Sequence, residues 1–350
     1  MIAGARQLHA AGVEACRTGE FETAISCFRE AIRCAPATPE FHQWLFSALL
    51  AWGRAQPFAA AAAETTDLPS FSVVVCSVNP EKFARLKQNL EASIPGDRME
   101  IVRIADARNM GEGYNRGARQ AAGDILIFCH DDIQILTANA AWRIAERLRA
   151  YDLLGVAGST WLRDARWSQA GLPYLRGQVV HALADRPGYT YSAFGLAGAS
   201  AGGVQALDGL FLAMRREFWR ENPFDEGYDG FHLYDVDLSF RCHLAGHRLG
   251  VCNEILVEHG SLGRFDASWQ RAAERFTERF AGKFEQRPAG VLLPSNLRLN
   301  DRDQVLQLFR ALRRFGYGTD IVVGEQPTRR GSDPPGQIRP AGSTGRVPGR

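Results

Sequence analysis

From residue 5 to residue 52, apolar and small side chains recur at helical spacing. Leu8, Ala11, Gly12 and Ala15 fall on one face. Phe21, Ala24, Phe28 and Ala31 follow on another, with Gly19 at the break and Pro36 as a stop. A third segment starts at Pro39 and carries Phe41, Leu45, Leu49 and Trp52 on one side. The pattern predicts two antiparallel helices over 5–36, brought close by Gly12, Ala24 and Ala31, and a further helix from Pro39 to Trp52. The period changes at residue 71. Phe71–Val78 is an almost continuous apolar run, as expected of a strand covered on both faces. Asn79-Pro80 reads as a cap followed by proline at the first helical position, with a helix running to about Ala92. The alternation continues with a strand at Met99–Ile104, a helix at Gly113–Ala122, a strand at Asp124–Cys129, a helix at Thr137–Ala150 and a strand at Leu153–Gly158. This order predicts an α/β domain with a mostly parallel sheet and helices on both faces.

Between residues 160 and 205 the rhythm is lost and Gly, Tyr and Trp accumulate. Loops and short strands lying over an active site are expected there. Order resumes with Val204–Met214, a helix at Asp235–Ala245, short strands at Arg248–Cys252 and Ile255–Glu258, and a basic amphipathic helix at Asp301–Phe315. The expected organisation is a helical segment at 1–56, a linker at 57–69, an α/β domain at 70–285 and an extension with the basic helix at 286–325. The Gly, Pro, Arg and Ser composition of 326–350 predicts disorder.

Composition narrows the classes. The 350 residues carry a net charge of only +2, which gives no bulk electrostatic case for nucleic acid. Seven scattered cysteines argue against a disulfide framework or a zinc site and fit a reducing, cytoplasmic location. No signal peptide and no membrane-spanning apolar run is visible. A peripheral contact with the inner membrane face stays open.

The chemistry concentrates in a few places. The apolar strand Ile125–Cys129 runs into His130-Asp131-Asp132. Ligands of open parallel sheets bind beyond the carboxyl ends of the strands. Two adjacent carboxylates there repel each other, and a divalent cation such as Mn²⁺ or Mg²⁺ relieves the repulsion. Alone, such a pair is more readily a turn cap and a solvated side chain, and it is the surrounding sequence that favours the metal. Farther on, Asp235 and Asp237 fall in a first helical turn, where they favour the helix dipole, and Asp237 can pair with Arg241 at i, i+4.

The segment from Gly111 to Asp132 resembles the core of the inverting family-2 glycosyltransferases, which have the GT-A fold. Asn115, Gly117, Ala121, Gly123, Asp124 and Asp132 match the family pattern, and His130 replaces the first Asp of its Asp-x-Asp turn. A second match spans Asp235, Asp237, Leu238, Arg241 and Gly246, with Tyr234 in place of an acidic residue. A third is His259 in Val257-Glu258-His259-Gly260-Ser261. The resemblance implies Asp235 as general base. It implies Asp132, His259 and Asp131 as metal ligands. It places Cys76, Ser77, Asn79, Asp106, Asn115, His130 and Asp131 along the nucleotide-sugar, and Asp208, Gly209 and Tyr234 near donor sugar and acceptor. The donor implied is a UDP-, GDP- or dTDP-sugar, and the acceptor a glycan, lipid-linked or protein hydroxyl. Trp161, Trp167 and Tyr174 are candidates either for sugar stacking or for core.

Residues 5–52 resemble tetratricopeptide repeats. About one and a half repeats cannot bury their own apolar faces, so they are expected to pack on the main domain, a second subunit or a protein partner. Because His130 and Tyr234 both replace acidic residues, a helical-repeat adaptor with an inactive transferase-like domain is the alternative. Nucleotidyl transfer would require a Gly-rich basic loop after the first strand, and Cys76-Ser77-Val78-Asn79 is not one.

Overall fold

The computed structural model describes residues 2–56, 68–183, 186–196, 198–261, 263, 265–292 and 296–318. The expected disordered tail at 326–350 and most of the linker lie outside the described residues.

Three helices open the chain: α1 (Ile2–Thr18), α2 (Phe21–Cys34) and α3 (Pro39–Ala55). Gly12 lies directly against the ring of Phe28, so a side chain there would force α1 and α2 apart. The first half of the α/β domain then follows as β1 (Phe71–Cys76), α4 (Pro80–Ser93), β2 (Met99–Ile104), α5 (Met110–Gln120) and β3 (Ile125–Cys129). Asn79 caps α4, accepting from the backbone N–H of Glu81 and Lys82. Asn109 caps α5 in the same way, which starts that helix earlier than its apolar pattern predicts.

The next elements divide between two sheets. They are β4 (Ile133–Ile135), α6 (Ala140–Arg147), β5 (Leu153–Gly155), β6 (Ala157–Ser159), β7 (Leu175–Ala182), β8 (Tyr189–Gly195), β9 (Ser200–Ala201), β10 (Ala206–Leu207) and β11 (Phe211–Arg215). The chain closes with α7 (Arg216–Glu221), α8 (Tyr234–Leu244), β12 (Leu249–Cys252), β13 (Val257–His259), α9 (Ala267–Arg279), β14 (Asn296–Leu299) and α10 (Arg302–Phe315).

The main sheet has the order β2-β1-β3-β11-β5-β12-β9. Strands β2, β1 and β3 pair in parallel, as do β5 and β12, while β11 runs antiparallel between β3 and β5. This is the α/β architecture with a mostly parallel sheet that the alternating strands and helices predict, and it agrees with the GT-A type that the resemblance implies. The second sheet, β10-β6-β7-β13-β4 with the β7–β8 hairpin and β14, differs from expectation. The expected strand Leu153–Gly158 breaks at Val156, β5 joining the main sheet and β6 the second. Residues 160–205, expected as loops and short strands, contain the eight-residue β7 and the seven-residue β8.

Small residues set how closely α5 approaches the main sheet. A Cβ at Gly117 would overlap Val74 of β1, and one at Gly113 would overlap the Cys76 thiol and Ala107. Gly117→Ala therefore overpacks this contact. It is expected to cost about 1–3 kcal/mol of stability in chemical denaturation.

The N-terminal helices are not a separate body. Their apolar face shares one core with Trp161, Tyr191, Leu256, Leu308 and Leu312, through α10 and the second sheet. Gly53 of α3 approaches the backbone of Gln307 in α10. Buried Glu254 ties this layer down, pairing with Arg143 at 2.6 Å, Arg147 at 2.8 Å and Arg313 at 2.9 Å. Among the described residues no helix is long and apolar enough to cross a membrane.

Candidate active site

The turn after β3 is held from two sides. The backbone N–H of His130 donates to Leu210 at the start of β11 (3.2 Å), and Gly260 donates to the carbonyl of Asp132 (2.8 Å). Antiparallel pairing of β4 with β13 sets His259 beside Ile133, the residue after the acidic pair. Residues distant in sequence therefore meet by strand register.

The result is a compact cluster. One ligand atom from each of His130, Asp132 and His259 lies within 4.8 Å of the others. His259 Nε2 stands 3.2 Å from His130 Nδ1, 3.3 Å from an Asp132 carboxylate oxygen and 3.4 Å from the Ser261 hydroxyl. One ring nitrogen carries a single proton or a single lone pair and cannot satisfy all three. A cation can. Cis ligands around an octahedral ion with bonds of about 2.1 Å stand about 3 Å apart, close to the spacings here. Two imidazoles and a carboxylate suit Mn²⁺ chemically, so the residues present fit the implied metal.

Tyr234 orients His130. Its hydroxyl lies 3.2 Å from the Gly209 carbonyl and 2.8 Å from His130 Nε2. A carbonyl only accepts, so the phenol gives its one proton to Gly209 and accepts from His130 Nε2–H. That fixes the tautomer and leaves the Nδ1 lone pair facing His259 and Asp132. Burial and the neighbouring His259 push the His130 pKa down to about 4, so the ring is neutral. Burial opposes ionisation of Asp132, but hydrogen bonds from His259 and Ser261 and the adjacent imidazoles outweigh it. Its carboxyl is held well below the usual range.

The departures from the family pattern thus contact each other. Asp131, expected as a ligand, does not join the cluster. Its carboxylate accepts from the Ser77 hydroxyl (2.9 Å) and lies 3.8 Å from Lys82. Lys82, also 3.4 Å from Asp132, is absent from the sequence-based set. The signal for it was available. The cap at Asn79 sets Lys82 in the first turn of α4, at the carboxyl end of β1 where ligands bind.

Asp235 sits at the start of α8, partly buried, with its carboxylate accepting from Gly209 N–H at 2.7 Å. Burial and the charge of Asp208 raise its pKa to about 7. Gly209 is required because a side chain there would collide with Tyr234 and Asp235. Leu233, immediately before α8, holds φ at +60°, an uncommon conformation for a branched residue, and turns the chain into that helix. His130, His259, Lys82, Asp208, Tyr234 and Asp235 border one cavity of about 430 Å³.

Other expected residues have different duties. Asn115 is buried, not facing a ligand. It accepts from Trp219 Nε1 and Phe224 N and donates to Phe224 O and Glu226, so its amide is fully used fixing the 219–226 loop. The Asn79 carbonyl oxygen is spent on the α4 cap. Burial, then Glu112, pushes the Cys76 thiol up to about 12, leaving it neutral. Asp106 is exposed and paired with Arg116 at 2.8 Å. Asp237 is fully buried against Arg241, Arg279 and Tyr228, a structural role. Trp161 is core, donating to the Glu285 carbonyl, and Tyr174 packs on it. Of the three aromatic candidates, Trp167 borders the cavity.

No curated protein sequence matches. Among solved structures, GalNAc-T7 with UDP, GalNAc and Mn²⁺ is similar at 12% identity and a TM-score of 0.45, over 69% of this chain and 56% of that one. The chain therefore spans little more than half of that protein. The mannosyltransferase PcManGT from Pyrobaculum calidifontis, in complex with GDP-Man and Mn²⁺, is similar at 14% identity and a TM-score of 0.40, over 83% of this chain and 81% of that one. TarS from S. aureus is similar at 15% identity and a TM-score of 0.39, over 62% of this chain and 40% of that one. The sequence model of the Glycosyltransferase like family matches residues 72–280, well over half of the chain. That span holds β1, the His130–Asp132 turn, Asp235 and His259, and the chain belongs to this glycosyltransferase-like family.

Proposed function

We propose that the protein is a metal-dependent inverting glycosyltransferase that moves a sugar from a nucleotide-sugar to an acceptor hydroxyl. The observation that carries this reading is the convergence of His130, Asp132 and His259 on one point, with His130 and His259 bordering the cavity that Asp235 also borders. His130, Asp132 and His259 would hold Mn²⁺ or Mg²⁺, with Asp131 and Lys82 beside them. When bound, the ion supplies charge neutralisation for the leaving nucleoside diphosphate.

The chain's own residues do the rest. Lys82 adds a cation for phosphate oxygens, and Ser77 holds Asp131 in place. Asp235 takes the acceptor proton, and the Gly209 N–H fixes its carboxylate. Burial and the neighbouring Asp208 raise the proton affinity of Asp235. The α1–α3 helices are read as a tetratricopeptide-like unit that braces the second sheet and offers its outer face to a protein partner. An inactive adaptor is disfavoured by the His130–Tyr234 contact, because the two replaced acidic positions form a matched pair.

The test is Mn²⁺-dependent turnover over a panel of UDP-, GDP- and dTDP-sugars. Turnover with one donor, abolished by a chelator, is expected; none with any donor, metal present, would contradict the reading. The pH dependence has a definite sign. Below about 7 Asp235 holds its proton and cannot accept another. The rate should therefore fall about tenfold per pH unit on the acid side and level off above neutrality. A flat profile between about pH 5 and 8, roughly two units below the base to one unit above it, would remove Asp235 from that role.

A further inference from the structure

The wall of the cavity formed by the β6–β7 connection and α9 carries a cation that the proposed reaction does not use. Arg166 lays its guanidinium over the ring of Phe265, at 4.0 Å, and lies 5.0 Å from the ring centre of Trp269. Its buried Nε has no hydrogen-bond partner among the described residues. The neighbouring Asp164 accepts from the backbone N–H of Arg166 and pairs its side chain with Arg163. Arg166 borders the same cavity as Asp208, Asp235 and Trp167, and Phe231 and Phe265 stand half exposed there.

A buried donor without an acceptor is costly, so its persistence calls for an explanation. Stacking on aromatic faces holds a guanidinium flat and leaves its edge free for bidentate contact with a carboxylate or phosphate. The donor diphosphate already has its own cationic pole at the metal cluster and Lys82. Meanwhile Asp208 and Asp235 would repel an acidic acceptor that had no counter-charge to hold it.

We propose that the acceptor is anionic, with a carboxylate or phosphate held by Arg166, its apolar face against Phe231 and Trp167, and its hydroxyl at Asp235. This rests on the transfer reading and makes Arg166 a specificity-determining residue within it.

The test titrates glucuronate, glucose 1-phosphate and glucose into the protein, with and without Mn²⁺ and UDP or GDP, and follows tryptophan fluorescence from Trp167 and Trp269. At least one charged probe should bind about tenfold more tightly than glucose, and Arg166→Gln should remove that preference. Arg166→Lys should retain part of it. Mn²⁺–nucleotide affinity should be the same in all variants, which also reports that they fold. Preference for glucuronate assigns a carboxylate, and preference for glucose 1-phosphate a phosphate. Equal binding of charged and neutral probes, or a preference that survives Arg166→Gln, would overturn the proposal. Failure of the unaltered protein to bind Mn²⁺ and nucleotide would instead contradict the transfer reading, and the nucleotide-free titration separates the two.

Discussion

Asp235→Asn is expected to lower kcat for transfer by about 10²–10⁴-fold, the usual worth of a positioned general base. The substitution keeps the shape of the side chain, and an amide oxygen can still accept from Gly209 N–H, so the start of α8 should be undisturbed. What is lost is the ability to take a proton from the acceptor hydroxyl. Metal and nucleotide contacts lie on other residues, so their affinities should be nearly unchanged. A loss confined to kcat marks an interaction made in the transition state. Normal turnover in this variant would remove Asp235 from the mechanism.

The second large effect concerns the metal. Asp132→Asn removes the one anionic ligand of the cluster, and His259→Ala removes the nitrogen at its centre. Each is expected to weaken Mn²⁺ binding by more than about 100-fold, beyond the loss typical of outer-shell changes, with turnover falling in parallel. Asp131→Asn should do much less, because that carboxylate is engaged by Ser77 and Lys82. Calorimetric titration of Mn²⁺ separates the cases. Equal losses for Asp131→Asn and Asp132→Asn would return Asp131 to the ligand set.

The two halves of the domain differ in how openly the sequence declares them. Strands β1 and β3 are buried on both faces, so they appear as continuous apolar runs, and the Asn79 cap marks where α4 begins. Strands β7 and β8 mix glycine, polar and apolar residues, and besides pairing with each other they are held by β13 and β14, far away in sequence. No local period announces them. The site follows the same division. Asp132 and Asp235 stand at the ends of readable elements. The contact of His130 with His259, and of Tyr234 with His130, depends on strand register and helix packing that only the fold supplies. Asn115 shows the opposite error. A polar residue in a small-residue helix looks available for a ligand until the 219–226 loop is seen to use all of its hydrogen bonds.

The central claim is that His130, Asp132 and His259 together hold the catalytic metal. Crystals grown with Mn²⁺ and UDP or GDP, measured for manganese anomalous scattering, test it most directly. The account predicts one anomalous peak about 2.1–2.3 Å from His130 Nδ1, an Asp132 carboxylate oxygen and His259 Nε2, with the diphosphate on its open side and His130 Nε2 still bonded to Tyr234. A peak bound by Asp131, or none in this cavity while nucleotide is present, would contradict it.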